Sequence, residues 1–172
     1  MMDFVTAVKT CFMKYADFKG RARRSEYWWF CLFCLIVMWV FNILGSIWPV
    51  LSIVSLLVSI VLMIPSYSVQ TRRLHDTGRS GWWVVIMLVL MIAFFIGLGV
   101  MMFPYADRMM EITDNMETVN VMMDAMEQSP VAIGVMGLCS LLMTVVTVVV
   151  IIFSVLDSKW DTNKYGPSPK YQ

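Results

Sequence analysis

Four stretches of the chain carry no Asp, Glu, Lys, Arg or His: Tyr27 to Trp48, Val50 to Gln70, Trp82 to Phe103 and Val131 to Leu156. Each is 21 to 26 residues long, and about 20 apolar residues suffice to cross the hydrocarbon layer as a helix. The pattern predicts an all-α integral membrane protein with four transmembrane helices (27–48, 50–70, 82–103 and 131–156) in a single membrane domain, 1–172. Pro49 and its neighbours alone separate the first two spans, so they form a tight helical hairpin, and Pro65 is placed to kink the second. Segment 1–26, basic and amphipathic, is assigned an N-terminal interfacial helix. Segment 104–130 has its own rhythm. Tyr105, Met109, Ile112, Met116, Val119, Met123 and Met126 recur at steps of four and three, between Pro104 and Pro130. That spacing predicts an amphipathic helix with one apolar stripe, available to fold over the bundle, lie on the membrane or pair with a second copy.

Charge orients these elements. Of 172 residues 59% are hydrophobic and only 15% charged, against about a quarter charged in soluble domains, and the net charge of +1 says less than its distribution. Lys9, Lys14, Lys19, Arg21, Arg23 and Arg24 precede the first span; Arg72, Arg73 and Arg79 lie in the expected loop 71–81; Lys159, Lys164 and Lys170 lie in the tail 157–172. Twelve of thirteen basic residues thus fall on one side of the four spans, which by the positive-inside rule places both termini in the cytoplasm. The segment 104–130 holds Asp107, Glu111, Asp114, Glu117, Asp124 and Glu127 against Arg108 alone, and is expected on the periplasmic side. The N-terminus shows no short apolar core with a small-residue cleavage site, so no signal peptide is read and the first span is expected to stay. The four cysteines, Cys11, Cys31, Cys34 and Cys139, imply no disulfide framework. The C-x-x-C of Cys31 and Cys34 reads as packing, because a reactive thiolate needs an exposed electropositive setting.

The polar chemistry is concentrated in two related motifs. "DFKGRARRSEYWWF" precedes the first span and "RRLHDTGRSGWW" the third. Both run Asp, Gly-Arg, Arg-Ser, Trp-Trp: Asp17, Gly20, Arg21, Arg24, Ser25, Trp28, Trp29, and Asp76, Gly78, Arg79, Ser80, Trp82, Trp83. A duplicated two-span unit and convergence on membrane-approach chemistry both produce such an echo. Ser25 and Ser80 are expected as N-caps, the glycines as turn formers, and the four tryptophans as interface anchors at headgroup depth. The arginines are expected to face lipid phosphates, each worth on the order of 1 kcal/mol near an anionic leaflet. Arg21, Arg24, Arg72, Arg73, His75, Asp76, Arg79 and Ser80 together form the candidate site for an anionic headgroup or ligand. His75 beside Asp76 has a sharper reading, a general base with its orienting acid. Against it stands a loop hydrogen-bond pair with Asp76 bracing Arg72 or Arg79; no nucleophile or second acid stands at meaningful spacing, and a catalytic site needs several groups in mutual geometry.

Small residues suggest how the spans pack. Ser52, Ser55, Ser59 and Ser66 share a stripe on the second, Gly137, Ser140, Thr144, Thr147 and Ser154 on the fourth, and Ala93 and Gly97 stand four apart on the third. Such residues let helices approach closely in lipid. No ionisable side chain lies inside any span, which weighs against a coupled transporter. Met101, Met102, Met109, Met110, Met116, Met122, Met123 and Met126 crowd the third span's end and the following segment. Thioethers suit Cu(I), yet methionine is also an adaptable apolar filler, and no metal or cofactor is assigned.

The stretches "YADFKGRARRSEYWWF", "RRLHDTGRSGWW" and "NKYGPSP" resemble the bacterial inner-membrane family catalogued as domain of unknown function 805. The resemblance covers both motifs, the surrounding spans and the tail. It implies a small multi-pass protein of the bacterial cytoplasmic membrane and implies no activity. The acidic, Met-rich segment between the third and fourth spans departs from the shorter connection usual in the family. The sequence reading is therefore a non-enzymatic inner-membrane module whose basic-aromatic cytoplasmic face binds anionic lipid or a partner protein, as a homo-oligomer or beside another membrane protein, with no nucleic-acid role. The rivals are a small transporter or channel and a membrane-embedded enzyme using His75 and Asp76.

Overall fold

The structure, a computed structural model, describes residues 2–48, 50–111 and 115–169; Pro49, Ile112, Asp114 and Lys170 lie outside the described residues. Among the described residues seven helices follow in order: α1 (Phe4–Met13), α2 (Arg24–Ile47), α3 (Val50–Asp76), α4 (Trp82–Met102), α5 (Ala106–Glu111), α6 (Asn115–Gln128) and α7 (Pro130–Val155), with a 3-10 turn at Phe103–Tyr105 between α4 and α5. Among the described residues four helical stretches, Arg24–Ile47, Val50–Asp76, Trp82–Glu111 and Pro130–Val155, are long and apolar enough to cross a membrane. No strand occurs among the described residues, only an isolated bridge between Asn163 and Gly166.

Helix limits differ from the charge-free runs where ion pairs intervene. α2 begins at Arg24, three residues before the run, because Glu26 in its first turn is paired. Ser25 is therefore inside the helix and not its N-cap: Arg23 holds the cap position in extended conformation with no side-chain bond, and the Ser25 hydroxyl instead accepts the Met2 amide at 3.3 Å. α3 continues through Pro65 to Asp76, so residues 71–76, expected in a loop, form its last turns. Cations there suit the carbonyl-rich end of a helix.

The chain divides into two compact units, Met1–Val84 with Val150–Gln172, and Val85–Val149. In the first, α1 packs against α2 and α3. Asp3 caps α1 by accepting the Thr6 amide at 3.1 Å, and Thr6 holds its carboxyl below the usual range. Cys11, Ala22, Tyr27, Phe30 and Val69 form a buried core, with Cys31 and Cys34 packed against it. Phe12 stacks edge-on to Phe30 and Phe33, each at 5.8 Å. Gly45 and Ser52 approach closely at the α2–α3 hairpin, where a Cβ on Gly45 would lie 3.5 Å from the Ser52 hydroxyl. Most hydroxyls of the predicted stripes bond back to carbonyls of their own helix, as Ser59 to Leu56 and Ser66 to Leu62, both at 2.7 Å.

In the second unit Met101, Tyr105, Val121 and Ala125 are buried together. The small-residue approach predicted on the third span is real at Gly97, where an added Cβ would come within 2.9 Å of Met136. The predicted apolar stripe of 104–130 is left largely uncovered by the rest of the chain. Tyr105 is buried, but Met116, Val119, Met123 and Met126 are 67%, 48%, 62% and 48% exposed, and the buried face of α6 is carried by Val121 and Ala125.

Candidate functional site

The HDTGRS stretch is a helix terminus, and its backbone explains its sequence. Gly78, at φ +77, lets the Arg79 amide reach the Leu74 carbonyl at 2.8 Å and its own amide reach the His75 carbonyl at 3.0 Å. This is the Schellman arrangement, which needs the left-handed conformation that glycine adopts without strain. Gly78 is also hemmed in by Lys159, whose side chain lies 2.8 Å from where a Cβ would sit. Gly20, at φ +79, repeats that backbone conformation in the first motif.

This terminus projects a charged cluster inward. Arg72, Arg73 and Asp76 are fully buried, and Arg21 and Glu26 nearly so. Asp76 is the hub: Arg21 Nε donates to Oδ1 at 2.9 Å, while Arg73 Nη1, at 2.5 Å, and the Ser158 hydroxyl donate to Oδ2. The two guanidiniums then reach backbone carbonyls of the tail. Arg21 binds those of Lys159, Asp161 and Gly166, and Arg73 those of Ser154 and Leu156. One carboxylate thus ties the first motif, the end of α3 and the C-terminal segment together, with nearly every lone pair and N–H engaged, the condition for burying charge. Beside it the Arg72 guanidinium pairs with Glu26 through Nη1 at 2.5 Å; its Nε and Nη2 have no hydrogen-bond partner among the described residues. The Cys11 thiol lies 4.0 Å from Glu26, and burial, then the Glu26 charge, pushes it up to about 12. It remains a thiol at physiological pH.

His75 belongs to the same joint. Its ring stacks on Tyr165 at 3.6 Å with planes 6° apart, its Nδ1 meets the Gly20 carbonyl at 3.2 Å, and its own carbonyl accepts a hydrogen bond from the Asn163 side-chain Nδ2 at 2.9 Å. Gly81 passes close over it, with room for no Cβ between itself and Thr71. The NKYGPSP tail is therefore docked on HDTGRS.

The structure brings Arg21, Arg72, Arg73, His75 and Asp76 together and turns them inward. The expectation that all the arginines face lipid phosphates is corrected for Arg21, Arg72 and Arg73, because buried carboxylates and carbonyls hold them. Arg24 and Arg79 remain outward. Arg24 Nε donates to the Leu156 carbonyl at 2.9 Å and its guanidinium meets Asp157 at 3.5 Å, both side chains well exposed. Arg79 lies over the Phe153 ring at 4.5 Å. Ser80 accepts the Trp82 amide at 3.3 Å, close to its expected capping role. The tryptophan pairs divide their work. Trp28 and Trp82 are 42% and 70% exposed, whereas Trp29 donates its indole N–H to the Met2 carbonyl at 3.0 Å and Trp83 packs edge-on to Phe153. Sequence reasoning missed Glu26, Ser158, Asn163 and Tyr165. Glu26 carried a signal, an acid at the threshold of a span that must find a cation.

Four spanning helices with a polar joint of buried ion pairs define a multi-pass α-helical membrane protein. The chain belongs to the family described as Protein of unknown function (DUF805), which matches residues 15–167. It is similar to the Inner membrane protein YhaH of Escherichia coli (strain K12), 40% identical over 80 residues, covering 44% of this chain and 66% of that one. Inner membrane protein YhaI of the same organism is 44% identical over 79 residues, covering 44% and 64%, and Uncharacterized protein YiiR is 35% identical over 75 residues, covering 42% and 50%. The chain therefore spans just under two thirds, or half, of the length of these relatives. No solved structure matches.

Proposed function

We propose that the chain is a non-enzymatic module of the bacterial inner membrane, with both termini in the cytoplasm, whose basic-aromatic face engages anionic lipid headgroups. The location is carried over from the inner-membrane relatives, and the orientation rests on the basic residues gathered on one side. The observation that carries the headgroup reading is the division of the arginines. Arg21, Arg72 and Arg73 are consumed internally, while Arg24 and Arg79 stay outward beside the exposed indoles of Trp28 and Trp82. Cations next to amphipathic rings match the phosphate level of a leaflet. The internal engagement of Asp76 and the stacking of His75 support a positioning role for that pair over a catalytic one.

The test is reconstitution of the full chain into nanodiscs from a mixture of phosphatidylglycerol and phosphatidylcholine. Lipid extracted from the discs should be enriched in phosphatidylglycerol over the input, and the enrichment should shrink in Arg79→Ala and at high salt. Discs that mirror the input at every salt concentration would defeat the reading.

A further inference from the structure

A cavity of about 730 Å³ opens at the start of α2, bounded by Arg23, Arg24, Ser25, Trp28, Leu32 and Asp157 among others. We propose that it is a discrete site for one phospholipid bearing a single phosphodiester charge, of the phosphatidylglycerol type, with the phosphate on Arg23 and Arg24 and the chains leaving past Trp28 and Leu32. The proposal rests on the headgroup reading above and narrows it from a face to a site.

Three observations carry it. The first is an uncommitted cation. Arg23 lines the cavity half-buried, and its guanidinium has no hydrogen bond or ion pair among the described residues. Arg24 beside it meets, among the described residues, the exposed Asp157 and one carbonyl. Arginine holds phosphate through parallel hydrogen bonds, which suits a phosphodiester.

The second is polarity along the groove. Ser25, Trp28 and Leu32 follow at steps of three and four and share a helix face. Eight residues separate Arg24 from Leu32, about 12 Å at the helical rise, enough to lead from phosphate depth into the acyl region. Trp28 and Leu32 are 42% and 40% exposed, so the apolar end is uncovered. A free anion would leave it so; an acyl chain covers it.

The third is net charge. Two guanidiniums and one carboxylate leave the groove at +1, which complements one phosphodiester. A zwitterionic headgroup brings no net charge to match.

The experiment is native mass spectrometry of the full chain in detergent with phosphatidylglycerol, phosphatidylethanolamine, glycerophosphoglycerol or inorganic phosphate added. One phosphatidylglycerol per chain should be retained. Arg23→Gln should lower its occupancy about tenfold, an effect that one charge-assisted hydrogen-bond pair can supply. Arg23→Lys should lower it less, and Lys9→Gln should leave it unchanged. The Arg23 guanidinium has no partner among the described residues to lose, so its variants report on the site and not on folding. Equal retention of phosphatidylethanolamine would overturn the charge argument, and retention of inorganic phosphate or glycerophosphoglycerol alone would overturn the amphiphile. If Arg23→Gln keeps its bound lipid while nanodisc enrichment persists, the site falls and the face stands; if neither assay distinguishes lipids, the face falls with it.

Discussion

Asp76→Ala should be the most damaging single substitution at the polar joint, costing about 3–5 kcal/mol, because removing one member of a buried pair strands the other's charge. Here one deletion strands two, since Arg21 and Arg73 both pair with that carboxylate at full burial. The loss should appear as a fall in the thermal unfolding midpoint of the detergent-solubilised chain on the order of 10 °C. Asp76→Asn keeps two acceptor lone pairs and should fall between it and the wild type. His75→Ala should cost much less, about 0.5–1.5 kcal/mol from the lost Tyr165 stack. An unchanged midpoint in Asp76→Ala would mean that the two guanidiniums find other partners, and the hub role would be wrong.

The Glu26–Arg72 pair should behave differently, because it has fewer supports. Glu26 is the one ion-pair partner of Arg72 among the described residues, and two of the guanidinium nitrogens are already unpartnered. Glu26→Ala therefore leaves a fully buried cation uncompensated, a loss of about 3–5 kcal/mol. The double substitution Glu26→Leu with Arg72→Met removes both charges and fills a comparable volume beside Cys11, Tyr27 and Phe30. Buried pairs replaced by apolar residues are often neutral or stabilising by about 1–4 kcal/mol, so the double variant should unfold at or above the wild-type temperature. A double-mutant cycle measures this coupling directly. Additive losses would show that the two side chains act independently.

The contrast between these pairs explains what the sequence disclosed. Membrane helices were legible because the apolar runs are long and the solvent they face is uniform. Their ends were not, because a charge-free criterion stops at the first ionisable residue, and α2 and α3 both carry such residues into the helix as ion pairs. Gly78 held the better signal for the end of α3, since glycine after a run of helix formers marks a C-terminal cap. The composition of the candidate site was legible in RRLHDTGRS; its direction was not. An arginine that caps a carbonyl-rich tail and one that faces a phosphate look alike until the tail is placed. NKYGPSP offered Asn163 and Tyr165 without saying what they meet. The methionine stripe was legible only as a face: steps of three and four define it, but what covers it depends on what lies opposite, and within this chain α6 buries Val121 and Ala125.

The tail is folded onto the α3 terminus as part of one joint. Amide hydrogen exchange on the full chain tests it most directly. The amides of Lys159, Asn163, Tyr165 and Gly166 are hydrogen-bonded, the first to the Asp76 carbonyl at 3.2 Å and the others within the tail. In the wild type they should exchange on the order of a hundredfold more slowly than in the free tail peptide, and Asp76→Ala should remove most of that protection. Wild-type exchange at free-peptide rates would contradict the account.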